Sequence, residues 1–147
     1  MSEPKLTIEL VPEGSFYNNL RSKVSKARWD KIRTNSYKKA NYKCDICGGK
    51  GNKWPVECHE IWEYNDEKLI QTLVGVTALC PSCHEVKHIG LANVRGRLDI
   101  ASNHLMKINN WDYEETTAYI ESAFDKWRER SKHEWNVDVG WLVKNNY

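Results

Sequence analysis

The sequence predicts an α+β fold: a strand–loop–strand–helix core pinned by a four-cysteine zinc site and flanked by N-terminal and C-terminal helices. Three observations predict it. Two CxxC pairs, Cys44/Cys47 and Cys80/Cys83, bracket a stretch with β-type patterning. The second pair runs straight into Cys80-Pro81-Ser82-Cys83-His84-Glu85-Val86-Lys87-His88, a helix start carrying two imidazoles four residues apart. Beyond His88 the apolar residues recur at three- and four-residue steps, the period of amphipathic helices.

The length of 147 residues suits a single domain with extensions: a strand and basic helix over 1–43, the core over 44–89 and a helical extension over 90–147. A hydrophobic fraction of 40% and a charged fraction of 29% fit a globular chain and exclude a disordered or fibrous one. No apolar run approaches a membrane span, and MSEPKLTIEL lacks a basic-then-apolar signal pattern. The expectation is therefore a cytoplasmic protein without a membrane partner. In a reducing compartment, cysteines arranged as CxxC pairs point to metal and away from disulfides.

The N-terminal segment opens with Leu6, Ile8 and Leu10 alternating against Lys5, Thr7 and Glu9, which predicts a short strand over Lys5 to Val11. Pro12 and Gly14 end it. From about Ser15 to Tyr42 the pattern is helical, with Trp29, Ile32, Ser36 and Tyr37 as the inner stripe. This region is basic: Arg28, Lys31, Arg33, Lys38 and Lys39, among others, face the single acid Asp30. The net charge of +2 says little about partners, but this segregation suits phosphate contacts. A solvated basic helix face explains it equally well.

Cys44-Asp45-Ile46-Cys47-Gly48-Gly49 is a knuckle, in which two thiolates can share one ion if the backbone turns tightly and glycine accepts a positive φ. Thirty-two residues intervene before Cys80. Paired knuckles at such a separation signal a tetrahedral four-sulfur zinc site. Between them, Val56, Cys58 and Trp62 alternate with Glu57, His59 and Ile61, so a first strand places Cys58 and His59 on opposite faces. Tyr64 to Glu67 is a turn, and Leu69 to Leu79 is β-branched and apolar, a second strand with a bulge or close approach at Gly75. Pro81 suits a first helical position, and His84 and His88 fall one turn apart on one face. Residues 91–109 then predict one amphipathic helix, weakened at Gly96. Asp112 with Glu115 three on is a capping signature for a further helix, and Asn136 to Val143 predicts a last strand.

CxxCG, a His on a strand after an acidic residue, and LCPxCHxxKH together resemble the HNH nuclease family with its ββα-metal fold. The resemblance covers about residues 42–89. It implies two strands and a helix around one divalent cation that contacts the scissile phosphate. By this resemblance His59 is the general base that activates water, and His84 binds the catalytic metal. His88 matches the further metal ligand of members such as the colicin nucleases. Cys58 stands where the family places a ligand that is usually Asp or His. Cysteine accepts Zn²⁺ or Ni²⁺ and disfavours Mg²⁺, so Glu57 or Glu60 is an alternative oxygen ligand. The family's middle Asn has no counterpart between Gln71 and Leu79, which leaves Thr77, Gly75 or a backbone carbonyl to take its supporting role.

Hydrolysis of a phosphodiester needs an activated water and charge neutralised on the phosphoryl and leaving oxygens, work that suits an imidazole and a divalent ion. The expectation is thus a metal-dependent endonuclease acting on DNA, with RNA and a homodimer left open. Its cofactors are structural Zn²⁺ on Cys44, Cys47, Cys80 and Cys83 and a catalytic ion (Mg²⁺, Mn²⁺, Ni²⁺ or Zn²⁺) on His84, His88 and Cys58. Lys87 and the basic residues of the N-terminal helix would meet phosphates. The alternative is a catalytically decayed, zinc-stabilised module that binds nucleic acid or protein. Each residue also has a structural reading: His59 as a half-buried strand histidine, His84 and His88 as exposed polar positions, Cys58 as a small buried side chain, and Lys87 as a solvated one. For His104 and His133, surface or packing roles are the default.

Overall fold

The computed structural model of the chain describes residues 3–15 and 20–147. Two short helices, α1 (Leu20–Lys23) and α2 (Lys26–Lys39), precede a hairpin of β1 (Glu57–Asn65) and β2 (Ile70–Leu79). Five helices and a short strand follow: α3 (Pro81–Lys87), α4 (Ile89–Val94), α5 (Leu98–Asn109), α6 (Tyr113–Arg130), β3 (Asn136–Asp138) and α7 (Trp141–Lys144). The strands form one mixed sheet in the order β1-β2-β3, with β1 and β2 antiparallel and β3 parallel to β2. No helix among the described residues is long and apolar enough to cross a membrane.

The hairpin register pairs Glu57 with Leu79 and His59 with Thr77, and it shifts between Ile61, opposite Gly75, and Trp62, opposite Leu73, so that the extra residue on β2 is Val74, next to Gly75. Two apolar clusters sandwich this framework. One joins Leu79, Cys83, Val86, Ile89, Ala101 and Leu105 around α3, α4 and α5, with Leu6 buried among them. The other sets Trp29 and Ile32 of α2 against Leu73 of β2 and Leu142 of α7. Each fully buried aliphatic side chain contributes about 1.5–3 kcal/mol, so both faces of the hairpin are anchored independently.

Four expected elements differ. The alternation over Lys5 to Val11 buries Leu6 as foreseen, but no strand forms there. Its backbone is satisfied by side chains: Asn109 Oδ1 accepts from Lys5 N at 2.9 Å and Leu6 N at 2.8 Å, and Tyr119 Oη accepts from Ile8 N at 3.0 Å. The helix expected from Ser15 to Tyr42, part of which lies outside the described residues, is divided between α1 and α2. Ser25 caps α2, its hydroxyl accepting from Arg28 N at 3.2 Å, and left-handed Asn41 and Tyr42 turn the chain into the first knuckle. The helix expected over 91–109 is broken at Gly96, whose φ of +72° no L-residue adopts readily. Of the strand expected over Asn136 to Val143, only Asn136–Asp138 pairs before α7 begins. The capping box at Asp112 and Glu115 is present: Glu115 N donates to Asp112 Oδ1 at 2.8 Å and Asp112 N to Glu115 Oε1 at 3.3 Å.

Candidate metal centres

The first knuckle and the start of α3 bring Cys44, Cys47, Cys80 and Cys83 together, their sulfurs all within 4.8 Å of one another. Zn–S bonds of about 2.3 Å in a tetrahedron imply sulfur–sulfur edges of about 3.8 Å, and Cys47 Sγ lies 3.6 Å from Cys80 Sγ. All four cysteines are free of disulfides. Backbone amides turn toward the sulfurs: Ile46 N and Cys47 N toward Cys44, Gly49 N toward Cys47, and Cys83 N toward Cys80, each at 3.4 Å. Gly48, at φ +73°, permits the turn. At Gly51 a Cβ would lie 2.3 Å from Trp54 O and 2.7 Å from Pro81 Cδ, so only glycine lets this loop pass α3.

The donor set suits a dication. A hydrogen bond from Cys83, aided by backbone amides and outweighing burial, holds the Cys44 thiol down at about 4. Burial pushes Cys80 up to about 11, and the hydrogen bond to Cys44, with burial added, drives Cys83 up as well. The protein by itself therefore favours the thiolate at Cys44 over those at Cys80 and Cys83, whereas a dication deprotonates the thiols that coordinate it. The cluster is compatible with zinc. Two supports were not read from the sequence. Asp45 Oδ2 accepts from Thr77 Oγ1 at 2.6 Å and Ala78 N at 3.0 Å, tying the knuckle to β2. His104 Nε2 of α5 sits 3.2 Å from Cys83 Sγ, an outer partner of that sulfur, while His133 is exposed.

The second centre is built on the next residues of the same helix. His84 of α3 and His88, the residue that caps its C-terminus, have ring centroids 4.9 Å apart, and His59 of β1 stands 5.3 Å from each. One nitrogen from each ring lies within 4.8 Å of the others, a group able to hold a metal ion. Carboxylates orient two of the rings. Glu57 Oε1 is 2.9 Å from His84 Nδ1, and Glu9 Oε1 is 3.4 Å from His59 Nε2. An ionised carboxylate only accepts, so each such contact places the ring proton on the nitrogen facing it and the lone pair on the other. His59 Nδ1 is buried and has no partner among the described residues.

Burial opposes charge on these rings. It lowers His59 despite the opposing hydrogen bond from Glu9, and burial together with the neighbouring histidines takes His88 down to about 3. Both rings are thus neutral near pH 7, the state that binds metal or accepts a proton. Burial raises Glu9, but the His59 hydrogen bond and the Lys87 charge outweigh it and hold the carboxyl at about 2. Glu57 is likewise lowered, chiefly by its hydrogen bond to His84 against burial. Glu9, the carboxylate beside His59, arrives from the N-terminal segment, whose backbone bonds to α3 through Glu9 N to Lys87 O at 3.1 Å.

Several expected site residues lie elsewhere. Strand alternation turns Cys58 away from His59 into the cluster around Trp29 and Ile32, where burial pushes its thiol up to about 11. It is a half-buried thiol and is not among the three residues of the imidazole group. Glu60 shares that face and accepts from Arg21 N at 3.3 Å. Thr77, opposite His59 in the hairpin, donates its hydroxyl to Asp45. Lys87 is not solvated: it is 5% exposed, donates to Thr7 Oγ1 at 2.7 Å and pairs with Glu9. That burial removes it from any phosphate surface. On α2, Arg28, Lys31, Lys38 and Lys39 are exposed, whereas Arg33 is paired with Asp30 at 2.9 Å. Comparison of the chain with protein-family models, with curated proteins and with solved structures gives no match.

Proposed function

We propose that this protein is a metal-dependent endonuclease of the HNH type that hydrolyses DNA phosphodiester bonds. The observation that carries the reading is the meeting of His59, His84 and His88 on one hairpin-and-helix unit braced by four thiols. In this reading His84 and His88 hold the catalytic ion, and His59 is the general base. Glu57 keeps the His84 proton on Nδ1 and leaves Nε2 as the nitrogen that would bind the ion. A divalent ion held by these residues would supply positive charge to the phosphoryl and leaving oxygens.

The chain's own steps follow from the hydrogen bonds. Glu9 keeps the proton of neutral His59 on Nε2, which leaves Nδ1 to take a proton from the attacking water. The imidazolium so formed lies beside the Glu9 carboxylate, which stabilises it. Lys87 holds Glu9 in place from behind. The exposed cations of α2 contribute phosphate contacts away from the reacting linkage. The sulfur cluster takes no part in chemistry; its task is to fix the start of α3, the helix that carries His84 and ends at His88.

The test is nicking of plasmid DNA with added Mg²⁺, Mn²⁺, Ni²⁺ or Zn²⁺. His59→Ala should cut at least ~100-fold more slowly, the low end for loss of a general base, while keeping its fold and structural zinc. Equal cutting by the two proteins removes this mechanism. A second reading, a decayed binding module, draws on the engagement of Thr77 by Asp45 and the turning of Cys58 away from the imidazoles. It expects one metal ion per chain and DNA affinity without cutting.

A further inference from the structure

A cavity of about 860 Å³ opens from the three imidazoles and runs along the hairpin beneath α6 residues Phe124 and Trp127. Its volume lies toward the upper end of the range for small-molecule sites. The walls are largely aromatic and aliphatic, with Trp62, Phe124 and Trp127 prominent, and Leu91 and Val94 stand exposed at its edge. Apolar walls alone would suit any greasy occupant. The polar atoms say more.

Among the described residues, buried side-chain nitrogen and oxygen atoms without a hydrogen-bond partner occur on Ser15, Trp29, His59 and Gln71. All four residues line this one cavity. Gln71 is 1% exposed and Ser15 0% exposed, and both ends of the Gln71 amide lack partners. Buried polar groups are ordinarily paired because leaving them unpaired is costly. Their gathering around a single chamber marks it as a place where a polar ligand edge completes the bonding once these covered side chains turn toward it. The occupant must therefore be flat and apolar on its faces, yet carry adjacent donors and acceptors on its edge. An aliphatic ligand would leave the Gln71 amide, the Ser15 hydroxyl and the Trp29 indole N–H unanswered.

Resting on the nuclease reading above, we propose that this cavity receives an unstacked nucleobase of the nucleic-acid substrate, with the Gln71 amide bonding its edge. An amide presents one donor beside one acceptor, the pattern that reads a base edge bidentately. Aromatic side chains supply the stacking surface that replaces the lost base neighbours. The cavity also fixes which base is read. Gln71 pairs with Tyr64, five residues along β1 from His59, or about 16 Å at ~3.3 Å per residue. That exceeds the reach of one nucleotide, so the base belongs to a neighbour of the cleaved linkage and not to the linkage itself. The substrate consequently has to be single-stranded or locally opened, since a paired and stacked base cannot enter a chamber walled by the protein.

The probe is a labelled strand of nine abasic sugar-phosphates, either fully abasic or carrying one central A, C, G or T. Fluorescence anisotropy at low salt with the full-length, zinc-loaded chain measures each affinity. At least one base should tighten binding tenfold or more over the abasic strand. Gln71→Met, of similar volume but without the amide, should bring that strand within twofold of the abasic one and leave abasic binding unchanged. Its thermal midpoint should equal or exceed that of the wild type, because an unpartnered amide has been removed. Five strands binding the wild type within twofold overturn the proposal without any variant, as does a Gln71→Met protein that keeps the base-dependent gain. Plasmid cutting is read separately. Cutting without base-dependent binding leaves the nuclease reading and removes this site; base-dependent binding without cutting does the reverse.

Discussion

The two centres share one short helix and differ in nearly everything else. α3 and its caps offer Cys80 and Cys83 at the start to the sulfur cluster, then His84 and the C-cap His88 to the imidazole cluster. The sulfur centre is closed: four donors, amides directed at the sulfurs, and a loop so tight that Gly51 admits no Cβ. The imidazole centre is open: three donors, an unpartnered ring nitrogen and a cavity in front of it. A closed tetrahedron is the form of a structural site, and a site with room for a further ligand is the form of a catalytic one. The contrast teaches that a closed donor set and an open one are separated here by about one turn of helix. Whatever fixes the sulfur cluster therefore also fixes the direction of the rings.

The strongest way to break the comparison is to open the closed side. Cys83→Ser should abolish structural zinc binding and cooperative folding of the α3 region, since binding free energy at such sites is folding free energy, of order 10 kcal/mol. Metal analysis and near-ultraviolet circular dichroism would read it. If Cys83→Ser keeps its zinc and its fold, the two centres are not dependent in the way described.

A smaller effect should come from the buried support of the open side. Glu9 is held at about 2 in the folded chain against its usual 4.5, a difference of about 2.5 pH units and on the order of 3 kcal/mol. For a lowered carboxyl the sign is definite: the stabilisation is present above pH 4.5 and is lost as pH falls through 4.5 toward 2. Glu9→Gln should therefore be less stable than wild type at pH 6, with the gap in urea midpoints narrowing at pH 3. A constant gap would place the stabilisation elsewhere. The same variant should cut 10- to 100-fold more slowly, the range for loss of an orienting carboxylate. Because Glu9 opposes the burial that lowers His59, its removal should shift the acid limb of the pH–rate profile further down.

The smallest effect concerns the surface of α2. Removing two exposed cations with Lys38→Ala and Lys39→Ala should weaken DNA binding and reduce the slope of log K against log salt by about 2, close to one unit per phosphate contact. Cutting at saturating DNA should be unchanged. An unaltered slope would leave this helix face simply solvated.

What the sequence disclosed of these two regions follows from distance along the chain. The knuckles, the Pro81 helix start and the His84–His88 pair depend on spacings of two to four residues, where covalent geometry leaves little freedom. The capping box at Asp112 is local in the same way. Partners far apart in the chain left no local mark. Glu9 reaches His59 across fifty positions, and His104 reaches Cys83 across twenty-one. The hydrophobic period of the Lys5 to Val11 segment correctly buries Leu6, but period cannot say whether a backbone finds a strand or the side chains of Asn109 and Tyr119. Lys87 illustrates the opposite error. A lysine in a polar-looking helix reads as solvated, yet an acid from a distant segment draws it inside.

Metal stoichiometry in the intact protein tests the central distinction most directly. Wild type should hold two ions per chain, one resistant to a mild chelator and one exchangeable, and His84→Ala with His88→Ala should lose the exchangeable ion alone while the fold persists. One ion per chain in both proteins, with identical chelator resistance, would mean that the imidazoles bind no metal and that the open centre is not one.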